Sequence, residues 1–523
     1  MAQTKKIGAL VLTAGLSMGL TGQAHAQDGA GEIAALKAQI QALSAKIDSL
    51  EAKQTAAAAA AKAVPVAAPA PTPAPAVAAL PAQNATIAAG KPSISSPDGR
   101  FTANLHGVMQ FDAANYSQDA AGPIATDLRR GAAATDTAHA RDLNSGTNFR
   151  RARIGIDGKA FGDWDYNILF EFGGAGEEDA GHVQEMWVQY SGLKPFHARI
   201  GAFVPALGLE DQGSTNGQPF VERPAESDIA RSLTGGDYRE GAEIWASGDR
   251  WFGSAAVTGR TVGVVNSQAT GVTQPFDAPL NFVGRLAFLP FKGDDYLIHV
   301  GAHGSYVDRP ADTGGPDAPG STITFQERPE LRVDGTRLIT TGAINAVHAS
   351  TSGAELAGQW RNFDVESEYD HYDIQRRSPT AGQTDPSFNG YYVEGSWLIT
   401  GEARRYNQNT FSFDAPSVDH PFSPKDGAYG ALELAARYSD INLNYHEGLA
   451  GTAPTADSVR GGDQRITSLG LNWYMNPVVR FMFEYQDVKI DRLSPNAITY
   501  QTPVGAEIGQ HYHALAVRSQ MAF

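Results

Sequence analysis

The chain has 523 residues, a formal charge of −16 and no cysteine. That balance excludes a nucleic-acid partner held by charge, and the missing thiols exclude disulfides, thiol catalysis and every sulfur-ligated zinc site. With 42% hydrophobic residues and 56 glycines, the composition suits strands that need apolar residues on one face only.

The N-terminus reads as an export signal over residues 1–26. Lys5 and Lys6 give the positive region, Ile7 to Leu20 the apolar region, and Ala24-His25-Ala26 the small-residue cleavage site. The apolar run is too short and too dilute for a membrane anchor, and no later stretch has the length of a spanning helix. A heptad run follows over residues 27–55, with Ile33, Ile40 and Ile47 at position a and Leu36, Leu43 and Leu50 at d. It predicts a short periplasmic coiled-coil helix; a lone amphipathic helix is the alternative. Residues 56–97 are rich in alanine and proline, which favours an extended spacer with a reach on the order of 100 Å. An anchoring role toward the cell wall is one reading of helix and spacer together.

From residue 98 to the end the pattern changes to alternation. Phe101, Ala103, Leu105, Met109 and Phe111 oppose Thr102, Asn104, His106, Gln110 and Asp112. Ala152, Ile154, Ile156 and Ala160 oppose Arg151, Arg153, Asp157 and Lys159, and similar segments recur to the C-terminal Phe523. Each has one apolar and one polar face and suits a tilted membrane crossing. Short turns such as Gly162-Asp163 and Lys292-Gly293-Asp294 alternate with long loops near 113–148, 204–239, 307–342 and 488–509. This is the arrangement of a transmembrane barrel, in which every backbone group finds a partner and no edge is left open. Pattern counting yields about eighteen candidate strands. The weakest two are Glu402–Phe411 and Asp440–His446; dropping them leaves about sixteen and makes 401–427 one long periplasmic turn. The predicted fold is therefore all-β: a 16-stranded antiparallel transmembrane barrel behind a short N-terminal helix.

The alternating segments carry recognisable words. Phe149-Arg150-Arg151-Ala152-Arg153, Asp163-Trp164-Asp165-Tyr166, Gly208-Leu209-Glu210 and Phe220-Val221-Glu222-Arg223 occur in order. Gly390-Tyr391-Tyr392-Val393-Glu394-Gly395, Leu398-Ile399-Thr400-Gly401-Glu402, Glu433-Leu434-Ala435-Ala436-Arg437-Tyr438 and Leu469 through Asn476 follow. Together they resemble the phosphate-selective porin O and P family over nearly all of 101–523. The resemblance implies a trimeric outer-membrane porin of sixteen strands whose third loop folds inward and makes the constriction. It also implies an arginine ladder, matched here by Arg150 and Arg151, and an anion site served by lysines of that loop. Ser214 and Thr215 match the family's serine pair, and Glu210 and Arg223 are kept. Asp211 stands where a binding lysine is expected, Val108 where an arginine is, and Gln184 where an aspartate is. No lysine lies between Lys194 and Lys292.

A tight phosphate site needs concentrated positive charge and several donors. The expected function is therefore an outer-membrane channel for passive diffusion of small hydrophilic solutes and ions without a strong phosphate site. A phosphate- or polyphosphate-selective pore and an envelope-anchoring barrel are the alternatives. The predicted lining and constriction residues are Arg150, Arg151, Arg153, Glu210, Asp211, Ser214, Thr215, Arg223, Asp364, Glu366 and Glu368. Asp364, Glu366, Glu368 and Asp370 share one parity and form an acidic stripe if that parity faces inward. It would attract cations or balance the lumen arginines. His511 and His513 alternate as well, but a pair without a third ligand does not make a metal site. Tyr391, Tyr392, Trp397, Trp473 and Tyr474 read as girdle residues at the membrane interfaces. Beyond the export signal, whose apolar region holds a chance Gly15-Leu16-Ser17-Met18-Gly19, no Gly-x-Ser-x-Gly motif occurs, and His-Glu-x-x-His is absent, so no enzyme activity, metal or cofactor is expected. The expected partners are outer-membrane lipid, lipopolysaccharide and two further copies of the chain.

Overall fold

A computed structural model describes residues 41, 44–46, 48, 49, 52, 84–88, 90–118, 143–173, 181–233, 238–262, 277–312, 322–495 and 504–523. The signal segment, the heptad positions and most of the spacer lie outside them. The described residues between 41 and 52 are helical and belong to a unit separate from the rest.

Sixteen antiparallel strands close into a barrel. In chain order they are β1 (Thr102–Gln118), β2 (Gly146–Ala160), β3 (Trp164–Glu171), β4 (His182–Leu193), β5 (Phe196–Phe203), β6 (Arg239–Ser247), β7 (Trp251–Thr261) and β8 (Leu280–Lys292). They continue as β9 (Tyr296–Arg309), β10 (Ile344–Trp360), β11 (Phe363–Arg376), β12 (Ser387–Leu398), β13 (Ala431–Tyr445), β14 (Val459–Tyr474), β15 (Val479–Asp491) and β16 (Gln510–Ala522). Each strand pairs with the next, and β16 returns to β1 with Met521 opposite Met109 and Arg518 opposite Asp112. The main chains of Gly107 and Phe523 bond reciprocally at 3.0 Å below that seam, so the terminal aromatic residue completes it.

The alternation decides which side of each strand meets lipid. Ile154, Ile156, Val188, Leu286, Phe288, Leu469, Phe483, Leu515 and Val517 point outward and are exposed, a distribution a water-soluble core would forbid. Aromatic residues mark both rims: Trp251, Tyr296, Trp360 and Trp397 at the turn end, and Tyr306, Tyr391, Tyr438 and Tyr485 toward the loop end. Tyr392 and Tyr474 depart from the expected girdle. Each stands on the inward parity of its strand and bonds a lumen carboxylate, Glu368 at 3.2 Å and Glu433 at 2.8 Å.

Three other departures bear on the lumen. The last part of the predicted spacer is a hairpin, Asn84–Ala88 with Lys91–Ser95, whose second strand pairs with β1. Asp440 to Tyr445 is the upper part of β13 rather than a strand of its own. The connection 399–430 is not a plain turn: Arg404–Asn407 and Ser412–Pro416 pair as a small separate hairpin with Phe411 and Phe413 buried. Phe411 to Phe413 alternate like a strand, but the pair is too short to cross a membrane.

Candidate functional site in the barrel lumen

The described part of the third outer loop, residues 204–233 and 238, turns into the barrel. Gly208 opens it with φ at 103°, and a Cβ there would stand 2.6 Å from a Glu368 carboxylate oxygen. Its missing side chain lets Glu368 accept the backbone N–H groups of Leu209 and Glu210 at 2.6 and 2.9 Å. Two helices follow, α1 (Leu209–Gln212) and α2 (Ala225–Ser232). The second buries Ile229 among Phe325 and Leu331 of the fifth outer loop and Tyr372, Phe388 and Ile441 of the wall. Apolar packing thus fixes the loop against β11 to β13.

Wall charges hold the rest of this loop. Arg480 donates to the carbonyls of Asn216 and Gln218, Arg437 to that of Glu222, and Arg518 to that of Val221. Glu484 accepts the Val221 N–H at 2.7 Å. The periplasmic hairpin meets the loop from the other side, with Arg404 on the Gly217 carbonyl at 2.7 Å and Ser412 on that of Gln212 at 3.0 Å. Arg285 steadies the hairpin through the carbonyls of Thr410 and Phe411, at 2.6 and 2.8 Å.

Within the loop, Glu222 gathers three guanidiniums: Arg150 at 2.6 Å, Arg518 at 3.0 Å and Arg332 at 3.3 Å. Burial opposes its ionisation, but these cations outweigh burial and hold the carboxyl well below the usual range. Glu226 is the opposite case. Both its oxygens are buried without a hydrogen-bond partner, and burial, then Glu330, push it well above the usual range. Glu210 pairs with Arg223, and Asp211 with Arg231 at 2.6 Å.

The acidic stripe does face inward, and all four carboxylates are buried. Glu368 caps the loop; Asp370 accepts from His303 at 2.9 Å, and Asp364 from Ser396 at 2.7 Å. Glu366 lies beside Glu394. The stripe is thus covered by loop and side-chain partners.

A cavity of about 290 Å³ remains on the other side of the loop. Its wall is His106, Arg151, Arg153, Trp187 and Arg199, and its loop side includes Asp211, Ser214, Thr215, Arg223 and Arg231. Most of its cations are paired: Arg153 with Glu171 at 2.6 Å, Arg199 with Glu243 at 3.6 Å, and Arg223 and Arg231 as above. Arg151 is the exception among the described lining residues. It donates to Gln110 Oε1 at 2.6 Å, has no carboxylate within 4.0 Å, and its buried Nε has no partner. Arg150 precedes it on the same side, because β2 bulges there: Gln110 pairs with Arg151 and Phe111 with Phe149, leaving Arg150 between them.

Of the predicted lining residues, Arg151, Arg153, Asp211, Ser214, Thr215 and Arg223 meet at this cavity. Arg150 and Glu210 lie behind it as loop anchors, and Asp364, Glu366 and Glu368 lie on the covered wall. Gln110, Tyr238, Arg332, Glu330 and Arg404 were not foreseen. Gln110 was legible as an inward neighbour of the arginine strand. The others sit in loops whose inward folding leaves no periodic trace.

The profile of the phosphate-selective porin O and P family matches residues 127–523. Porin O of Pseudomonas aeruginosa is 26% identical over 368 residues, covering 66% of this chain and 78% of that protein. Among solved structures, an anion-selective porin from Comamonas acidovorans superposes with a TM-score of 0.45 at 12% identity, over 81% of this chain and 100% of the other. A loop-deleted OmpT of Vibrio cholerae gives 0.45 at 9% identity, over 81% and 100%.

Proposed function

The chain belongs to the phosphate-selective porin O and P family, and we propose that it is a diffusion channel with a modest preference for small anions and no tight phosphate site. As an outer-membrane porin it supplies a polar path, and the gradient of the solute drives the flow. The third loop narrows that path. The observation carrying the anion preference is Arg151, a guanidinium without a carboxylate partner on the wall of the passage beside the loop. A buried cation in a narrow passage attracts anions and repels cations, and paired neighbours contribute less.

Phosphate specificity needs more donors than this passage offers. No lysine is among its lining residues, and Asp211 adds negative charge on the loop side. Ser214 and Thr215 supply hydroxyls only. We take the working unit to be a trimer in lipid and lipopolysaccharide, as the family resemblance implies, and chemical cross-linking tests that count.

Single-channel recording in planar bilayers tests the selectivity. The expected reversal potential in a salt gradient reports chloride over potassium by a small factor, and millimolar phosphate reduces chloride current only weakly. Block by micromolar phosphate would replace this function with a phosphate-specific one. A potassium preference would remove Arg151 from its role.

A further inference from the structure

On the outer surface, β16 presents His511 and His513 on one side because alternate strand residues share a face. Antiparallel pairing sets Asp487 of β15 directly opposite His513, supplying the third ligand that the sequence pattern alone did not. Nε2 of His511 is 2.7 Å from Asp487 Oδ1, and Nδ1 of His513 is 3.7 Å from the same oxygen. One donor atom from each residue lies within 4.8 Å of the others. The Tyr485 hydroxyl stands 2.9 Å from His513 Nδ1.

The cluster sits where the outward face changes character. Phe481, Phe483, Tyr485, Leu515 and Val517 below it are apolar or aromatic, whereas Asp487, Lys489, Asp491 and His511 are polar. It therefore lies at the outer water boundary of the membrane, and all three residues are partly exposed.

We propose that Asp487, His511 and His513 form a surface site for a divalent transition-metal ion of the zinc class. Two imidazole nitrogens and one carboxylate oxygen would bind it, with water in the remaining position. Bonds of about 2.0–2.2 Å place tetrahedral neighbours about 3.3 Å apart, and the two separations, 2.7 and 3.7 Å, straddle that value. The third separation, between the two imidazole nitrogens, is under 4.8 Å, so binding requires movements of under about 1.5 Å and displaces the proton shared by His511 and Asp487. Imidazole donors favour zinc, copper and nickel over calcium and magnesium. Lys489, in register with His511, is exposed and long enough to swing away; Arg465 beside it is engaged by Asp491. The luminal trio His303, Glu355 and Glu368 is a poorer candidate, because the Arg285 guanidinium already stands 2.8 Å from Glu355.

The test uses the full chain in detergent after chelator treatment, with Zn²⁺ titrated calorimetrically and Co²⁺ by visible absorption. The expected result is one ion per chain. His511→Ala, His513→Ala and the isosteric Asp487→Asn each weaken it by at least about tenfold. His420→Ala, at an exposed periplasmic position, leaves it unchanged, and calcium does not compete. Heat-modifiable migration on a gel confirms that each variant is a folded barrel. Absence of uptake, or uptake that survives in the His511→Ala/His513→Ala double variant, would overturn the proposal.

Discussion

Replacing Arg151 by glutamine keeps a side chain able to bond Gln110 and removes one charge from the narrow passage. A cavity of about 290 Å³ keeps a passing ion within about 5 Å of the guanidinium. At that distance in a water-like dielectric the interaction is about 0.8 kcal/mol, and screening in 0.1 M salt reduces it to about 0.5 kcal/mol. That is about 2.3-fold in the local concentration of each ion, in opposite directions for chloride and potassium. The chloride-to-potassium permeability ratio should therefore fall about fivefold in Arg151→Gln. Reversal potentials across a tenfold salt gradient measure it. Arg361→Gln, on an exposed turn, serves as the control and should leave the ratio unchanged. A ratio in Arg151→Gln within about 1.5-fold of the parent would refute the electrostatic assignment, since the calculated effect is well above that margin.

Other expectations concern the loops. Glu222→Gln leaves Arg150, Arg332 and Arg518 without their common carboxylate and should lower stability by about 3 kcal/mol. An unshifted urea midpoint would show that the loop does not depend on it. Burial, then Glu330, hold the Glu226 carboxyl well above the usual range, so above about pH 4.3 and up to its folded pKa the folded chain keeps a proton that the unfolded chain releases. Stability should fall as pH rises from there toward the folded pKa, by up to about 1.4 kcal/mol per pH unit from this group. Glu226→Gln should flatten that slope, and equal slopes in the two proteins would contradict it. Gly217→Ala puts a Cβ 2.5 Å from the Ala415 backbone nitrogen, which forces the loop and periplasmic hairpin apart. Single-channel conductance should rise in that variant and rise further when the hairpin is shortened; unchanged conductance in both would place the hairpin outside the path.

The alternation from Thr102 onward determined the barrel by itself, because a two-residue period leaves one face for lipid and one for water whatever the neighbours are. It also put Asp364, Glu366, Glu368 and Asp370 together on one face of their strand, as it did Arg151 and Arg153 on theirs. Side of strand is a local property. Which inward charges remain open is not, because it depends on loops that return from distant points in the chain. The stripe at Asp364–Asp370 looked like a pore wall and is covered, since Glu368 bonds the loop backbone and Arg404 arrives from a turn forty residues away in sequence. Arg150 and Arg151 both reach the lumen side through a bulge that the period alone would have denied. Asp487 joins His511 and His513 only through the β15–β16 register. Sequence thus settled the solvent of each face, whereas tertiary structure decided which charges stay unpaired, because pairing depends on distance in space.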